Sequence, residues 1–327
     1  MHMADALLSP TVGLAMGGLS AAAIAFSASK IKKDELLEKK IPVMGVAGAM
    51  VFAGQMINFT IPATGSSGHI GGGILLAGLL GGAPAFLSIA AVLIIQCLFF
   101  ADGGLLALGC NIFNLGVIPC LLIYPLTFKP LLSNGIGYRR LSAASVISVV
   151  IALQLGAFCV VLQTLLSGVT ALPFAVFTAL MLPIHLAIGL VEGIVTAAVL
   201  CFVYKARPEL IDASNSAKRL AGISTKRVLA AFAVLTVAVG GGLSLLASAN
   251  PDGLEWAIEK ITDTLAEAET MLPTAFLPDY SFASDPENAL GTSVSGLIGA
   301  AVTFALAAGT GLIISKVKRA RRAKTNV

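Results

Sequence analysis

IGGGILLAGLLGGAPAFLSIAAVLIIQCLFFA, residues 70–101, contains no charged side chain, and its reading decides how the chain must fold. A helix that crosses the hydrocarbon layer needs about 20 apolar residues. This stretch is too long for one crossing, and Gly81-Gly82-Ala83-Pro84 interrupts it with residues that break helices. It reads as a short helix over 70–82 and a longer one over 84–101. Working outward, continuous apolar runs predict further spans near 6–29, 42–61, 106–128, 142–166, 174–204, 228–249 and 292–315. The expectation is an all-α, polytopic membrane protein of about nine transmembrane helices. A seven-helix unit over 1–205 is followed by a polar linker over 206–227 and a two-helix unit over 228–327.

Composition agrees. The 327 residues are 57% hydrophobic and 12% charged, about half the usual charged share, and the mean hydropathy is +0.93. These values exclude a disordered chain, a nucleic-acid-binding module and an ordinary cytosolic enzyme. Apolar runs that are continuous and not alternating argue against a transmembrane barrel. The five cysteines lie in or beside apolar runs without a CxxC pair, so they read as buried thiols. The opening MHMADALLSP lacks Lys and Arg and includes Asp5, so it reads as mature sequence, not a secretory signal.

Charge sets the expected orientation. With nine spans, every Lys and Arg except Lys260 falls at one end of the bundle, in the segments following spans one, five, seven and nine. The positive-inside rule makes that end cytoplasmic, with the N-terminus outside and the C-terminus inside. Residues 250–290, which hold Asp252, Glu255 and seven further acids, then form an acidic loop outside.

Only three histidines exist, and two of them share the predicted outer end: His2, beside the N-terminus, and His69, in the Gly/Ser-rich connection TGSSGHIGGG. If Met1 keeps a free α-amine, that nitrogen and the His2 amide nitrogen close a five-membered chelate around a metal. His2 Nδ1 closes a six-membered ring with the same amide. A fourth nitrogen from His69 completes a square, a geometry that favours Ni(II) or Cu(II) over Zn(II). Binding would release protons, so affinity should rise with pH. The plainer alternative makes His2 incidental and His69 a turn residue.

Polar residues near the same end extend the pattern. Gln55, Asn58, Ser66, Ser67, Asn111 and Asn114 are candidates for orienting the imidazoles and closing the loop, or for bonding helices together without touching a ligand. Asp5 could orient the first segment or serve as a helix N-terminal acid. Gly17, Ala21 and Ala25 place a small residue every fourth position on the first span, a face suited to close approach by a partner helix. His185 and Glu192 are seven apart in one span. They read as an intramembrane polar pair, as a clasp to another helix or as a proton relay. No phosphate loop, nucleophile elbow or dinucleotide fingerprint is present, so the chain reads as a non-enzyme.

MHMADALLSP, QMINFTIPATGSSGHIGGG, GCNIFNLGV and HLAIGLVEGIVTA, in this order over about residues 1–205, resemble the M component of cobalt/nickel energy-coupling-factor transporters, the CbiM/NikM family. Asn250-Pro251-Asp252-Gly253-Leu254-Glu255 resembles the PDGLE domain, a two-span unit similar to the N component. The resemblance implies a metal-capturing subunit of the bacterial cytoplasmic membrane that carries Ni(II) or Co(II) as cargo, with no permanent cofactor. It implies a transmembrane coupling protein and ATPase subunits as partners, docking at the Gly17 stripe, and Met1, His2 and His69 as ligands. The sequence SSGHIGGG departs from the family in the residues around the histidine. Ser9-Pro10 and planar geometry lean toward nickel. A cobalt-specific subunit and a proton-coupled secondary permease using His185 and Glu192 remain alternatives.

Overall fold

The computed structural model describes residues 2–211, 225–262, 275–285 and 288–325, with side chains to residue 320. Met1, most of the linker and parts of the acidic loop, including Asp263, Glu267, Glu269 and Glu287, lie outside the described residues. The described helices are α1 (Pro10–Lys32), α2 (Leu37–Gln55), α3 (Gly73–Leu80), α4 (Gly82–Phe100), α5 (Leu108–Ile112), α6 (Lys129–Leu131), α7 (Tyr138–Ser167), α8 (Phe174–Ala206), α9 (Thr225–Gly241), α10 (Gly253–Thr262) and α11 (Ala289–Thr325). Between α5 and α6, Phe113–Phe128 continues as a wider π-type helix containing Pro119 and Pro125. The looser winding suits residues that supply no N–H and crowd the carbonyl a turn earlier.

The predicted break falls where the structure has it. Gly81 sits at φ 82, in the left-handed region, and separates α3 from α4. Its consequence differs from expectation. Eight residues make α3 about 12 Å long, too short to cross a bilayer, and all eight are buried in protein. Together α3 and α4 form a hairpin that enters and leaves at the same end. Backbone that does not span is tolerated because protein, not lipid, surrounds it.

Six helical stretches among the described residues are long and apolar enough to cross a membrane, where the sequence suggested nine. The others are α3, the 17-residue α9, and α2, which opens on Glu38, Lys39 and Lys40. The central helix is α4, buried almost throughout, whereas α1 is peripheral. There Ala21 and Ala25 are exposed and Gly17 half-buried. The second unit packs directly on the first: α11 lies along α2 and α4, with Phe52, Phe100 and Ala300 in one buried cluster. At the basic end, Lys318 Nζ donates to the Asp34 carbonyl at 2.6 Å and Arg319 Nε to Glu38 Oε1 at 2.8 Å, which brings two of the basic segments together. The five cysteines are free thiols.

Candidate metal centre

The first residues are held in place by side chains from α5 and the π-type helix after it, and by backbone N–H groups of the loop before α5. The Asn111 amide grips Met3 from both sides, accepting its N–H at 2.8 Å and donating to its carbonyl at 3.1 Å. Asn114 exchanges hydrogen bonds with Gln163 and approaches Met3 Sδ. The Asp5 carboxylate accepts the backbone N–H groups of Leu105 at 3.2 Å and Ala107 at 2.9 Å, so it clamps the loop ahead of α5. These bonds fix the direction in which His2 projects.

The second histidine arrives on a short hairpin. β1 (Phe59–Ile61) pairs antiparallel with β2 (Ser66–Gly68), and His69 follows directly. The Gly71-Gly72 backbone then turns into α3. Gly72 adopts φ +76, and a Cβ there would lie 2.4 Å from Val51 Cγ1, so only glycine fits. The turn is held from both sides. Gln96 donates to Gln55 at 2.8 Å, and Gln55 donates to the Gly71 carbonyl at 2.9 Å. From α8, Glu192 Oε2 and Oε1 accept the N–H groups of Gly71 and Gly72, each at 2.8 Å.

The outcome is that His2 and His69, far apart in sequence, stack with ring centroids 5.1 Å apart and planes 10° from parallel. His2 Nδ1 lies 3.2 Å from Asp102 Oδ1, Asp102 Oδ2 accepts the Tyr280 hydroxyl at 2.6 Å, and His2 Nε2 is buried without a hydrogen-bond partner. His69 Nδ1 sits 3.0 Å from the Ile70 carbonyl. Burial pushes both imidazoles down to about 3, which keeps them neutral and able to bind metal near neutral pH. Burial raises the Asp102 carboxyl, opposed by the Tyr280 hydrogen bond. The nitrogen that the predicted chelate needs, His2 Nδ1, faces Asp102, so that chelate could close only if Asp102 gave way.

A cavity of about 590 Å³ adjoins the two rings, lined in part by Gln55, Asn58, Asp102, Asp252, Glu255 and Tyr280. Its acids favour cations. Asn58 also gives its carbonyl to Ser248 N at 2.8 Å. Three of these lining residues, Asp252, Glu255 and Tyr280, come from the second unit. Asp252 and Glu255 form a reciprocal capping box: Asp252 Oδ1 accepts from Leu254 N at 2.7 Å and Glu255 N at 3.0 Å, and Glu255 Oε2 accepts from Asp252 N at 3.0 Å. The capped segment lies on β2: Ser67 N donates to the Pro251 carbonyl and Ser67 Oγ to the Asn250 carbonyl, both at 2.8 Å. Ser66 Oγ reaches the Pro251 carbonyl at 3.5 Å, and Trp256 Nε1 donates to the Thr64 carbonyl at 2.9 Å.

His185 and Glu192 do not pair with each other. They are two turns apart on α8, about 10 Å in rise. His185 Nδ1 sits 2.8 Å from the Met181 carbonyl, and Glu192 clasps the glycine turn, not another helix. Sequence reasoning missed Gln96, Asp102, Gln163, Asp252 and Tyr280 as members of this region. Gln96 and Asp102 carried a signal, a polar residue within and an acid just past one apolar run. Gln163 and Tyr280 carried none.

Known proteins resemble both parts of the chain. Residues 2–210 match the family described as the cobalt uptake substrate-specific transmembrane region, and residues 226–316 match the PDGLE domain. A fused NikMN relative from Archaeoglobus fulgidus is 30% identical over 307 residues, covering 94% of this chain and 96% of the relative. The fused nickel transport protein NikMN of Rhodobacter capsulatus is 29% identical, covering 99% of this chain and 100% of its own. A crystal structure of a transition metal transporter superposes with a TM-score of 0.55 at 29% identity, over 63% of this chain and 93% of that one.

Proposed function

This chain belongs to the cobalt-uptake substrate-specific transmembrane family, here followed by a PDGLE domain, and on that premise we propose that it captures Ni(II), or alternatively Co(II), outside the cell for delivery inward. The Met1 amine, the His2 amide and Nδ1, and His69 supply four nitrogens to the ion, and planar nitrogen donors select nickel. Residues 1–205 form the capture unit, 206–227 the cytoplasmic linker and 228–327 the second unit. A transmembrane coupling protein, docking on α1 at the face of exposed Ala21 and Ala25 beside half-buried Gly17, and ATPase subunits supply the energy.

The observation that carries this reading is the stacking of His2 on His69 at 5.1 Å, beside an acid-lined cavity. Asp5, Asn111 and Asn114 hold the first segment, and Gln55, Ser66 and Ser67 hold the His69 loop, as ligand-orienting residues do. The test is Ni(II) binding by the full chain with native and N-terminally extended ends, and with His2→Ala. One added residue before Met1, or His2→Ala, should abolish a planar Ni(II) absorption band. A band that survives both changes refutes the site.

A further inference from the structure

The seam between the two units leaves a crease of about 220 Å³, walled by α2, α9 and α11. Ala49, Thr236 and Ala300 form its buried floor, and Val237, Leu297 and Phe304 stand exposed at its rim. The Thr236 hydroxyl is already donated to the Phe232 carbonyl at 2.8 Å. The crease therefore offers hydrocarbon contact, and an apolar hollow of this kind stays dry. Leu297, Ala300 and Phe304 lie well inside α11, which is long and apolar enough to cross a membrane, so lipid is the medium that reaches them.

The crease is closed at one end. A Cβ on Gly296 of α11 would fall 2.0 Å from the carbonyl oxygen of Gly240 on α9, so the two helices touch backbone to backbone there. Gly240 and Gly296 lie just past Val237 and Leu297 toward the metal-site end. An occupant must enter from the opposite, basic end. On α2, Lys39 precedes Val46 by seven residues, and on α9, Lys226 precedes Ala233 by seven; Val46 and Ala233 both line the crease. Seven residues are two turns, so each lysine sits on the crease-facing side of its helix, about 10 Å nearer the basic end. Both lysines are exposed. The neighbouring acids are engaged elsewhere: Asp34 meets Lys40 at 3.2 Å, and Glu38 meets Arg319 at 2.7 Å. A blind apolar crease with positive charge two turns from it has the outline of a phospholipid. A protein helix, about 10 Å across, is too wide for this volume.

We propose that one anionic phospholipid from the leaflet at the basic end binds here, with an acyl chain in the crease and its phosphate drawn to Lys39 and Lys226. Basic residues beside such a hollow attract anionic headgroups. Lys39 belongs to the first unit and Lys226 to the second, so the lipid fastens one to the other. Nothing in this site depends on the metal chelate.

The test uses the full chain in phosphatidylcholine nanodiscs doped with phosphatidylglycerol that carries a photoactivatable diazirine midway along one acyl chain. After illumination, mass spectrometry of the peptides locates the label. It is expected on Val237, Ala301 and Phe304 well above the exposed Ile147 of α7 and Ile194 of α8. Phosphatidylcholine carrying the same diazirine chain should label the crease about tenfold less. Lys39→Gln with Lys226→Gln should abolish that difference. Ala301→Phe, which fills the crease from its exposed rim, should clear the label from Val237. Label spread evenly over the lipid-facing helices, equal labelling by the two lipids, or a preference that survives loss of both lysines overturns the site. Label that disappears when partner subunits are co-reconstituted marks a protein contact and overturns it too. The unsubstituted chain, compared between the two lipids, decides even if a variant fails to fold.

Discussion

Glu192→Gln isolates what the buried carboxylate does for the His69 loop. The native side chain accepts two backbone N–H groups at 2.8 Å, one on each oxygen. Glutamine has the same shape but one acceptor, so its amide nitrogen must face the second N–H as donor against donor. A hydrogen bond to a charged acceptor contributes about 1.5–3 kcal/mol, and a stranded buried N–H costs about 1–3 kcal/mol. These overlap, because both describe the same lost contact. Neutralising a buried carboxylate returns part of its desolvation cost. The net effect on the ordered turn is about 1–3 kcal/mol. If the metal site needs that turn ordered to present His69, Ni(II) affinity falls by about 5- to 150-fold. Calorimetric titration of the full chain in nanodiscs measures the affinity, and hydrogen exchange at the Gly71 and Gly72 amides reports the turn. Glu192→Ala, which strands both N–H groups, should exceed the glutamine variant in both. Affinity within twofold of wild type, with both amides still protected, would refute the reasoning.

Three further outcomes are expected. Because His2 and His69 stay unprotonated down to about 3, only the amine and the amide release protons on chelation between pH 5 and 6.5. The logarithm of Ni(II) affinity should therefore rise about two units per pH unit there, and a slope near four would mean that ordinary imidazoles titrate as well. The same depressed values make the unfolded chain bind more protons than the folded one below about 6.5, so stability should fall on acidification toward pH 3, by up to about 1.4 kcal/mol per pH unit for each ring. Asp252→Ala removes the α10 cap at a cost of about 1 kcal/mol and takes a carboxylate from the cavity. Exchange at Leu254 and Glu255 should accelerate and Ni(II) association should slow and lose salt dependence, whereas unaltered exchange would contradict the capping assignment. Tyr280→Phe keeps the ring stacked on Phe100 at 4.6 Å but removes the donor to Asp102. It should lower unfolding stability by about 1–3 kcal/mol in denaturant titration, and an unchanged midpoint would show that the contact contributes nothing.

The helical membrane architecture was legible because hydropathy is additive along a chain, and the Gly81 break because positive φ has few occupants. The pairing of His2 with His69 was legible because three histidines leave few combinations. What sequence could not supply was depth and registry. That α3 begins only at Gly73 and is buried along its whole length depends on what packs around it, which no local pattern announces. That Glu192 holds a loop and not a helix depends on where Gly71 arrives in space. Asp102 and Tyr280 meet across 178 positions and two units, and nothing local in either residue points to the other.

Those long-range contacts bear on why the two units share one chain. The 250–256 segment bonds to Thr64, Ser66 and Ser67, two to five residues ahead of His69, and Tyr280 bonds to the carboxylate that faces His2. The segment carrying each histidine is thus supported from the second unit as well as from the first. From within the membrane, α8 holds the other flank of the same loop through Glu192. A shift of the second unit along α2 and α4 would therefore pull on the strand before His69 while Glu192 retains the turn after it. The strain would fall on His69 itself, the imidazole proposed to bind the ion and then release it.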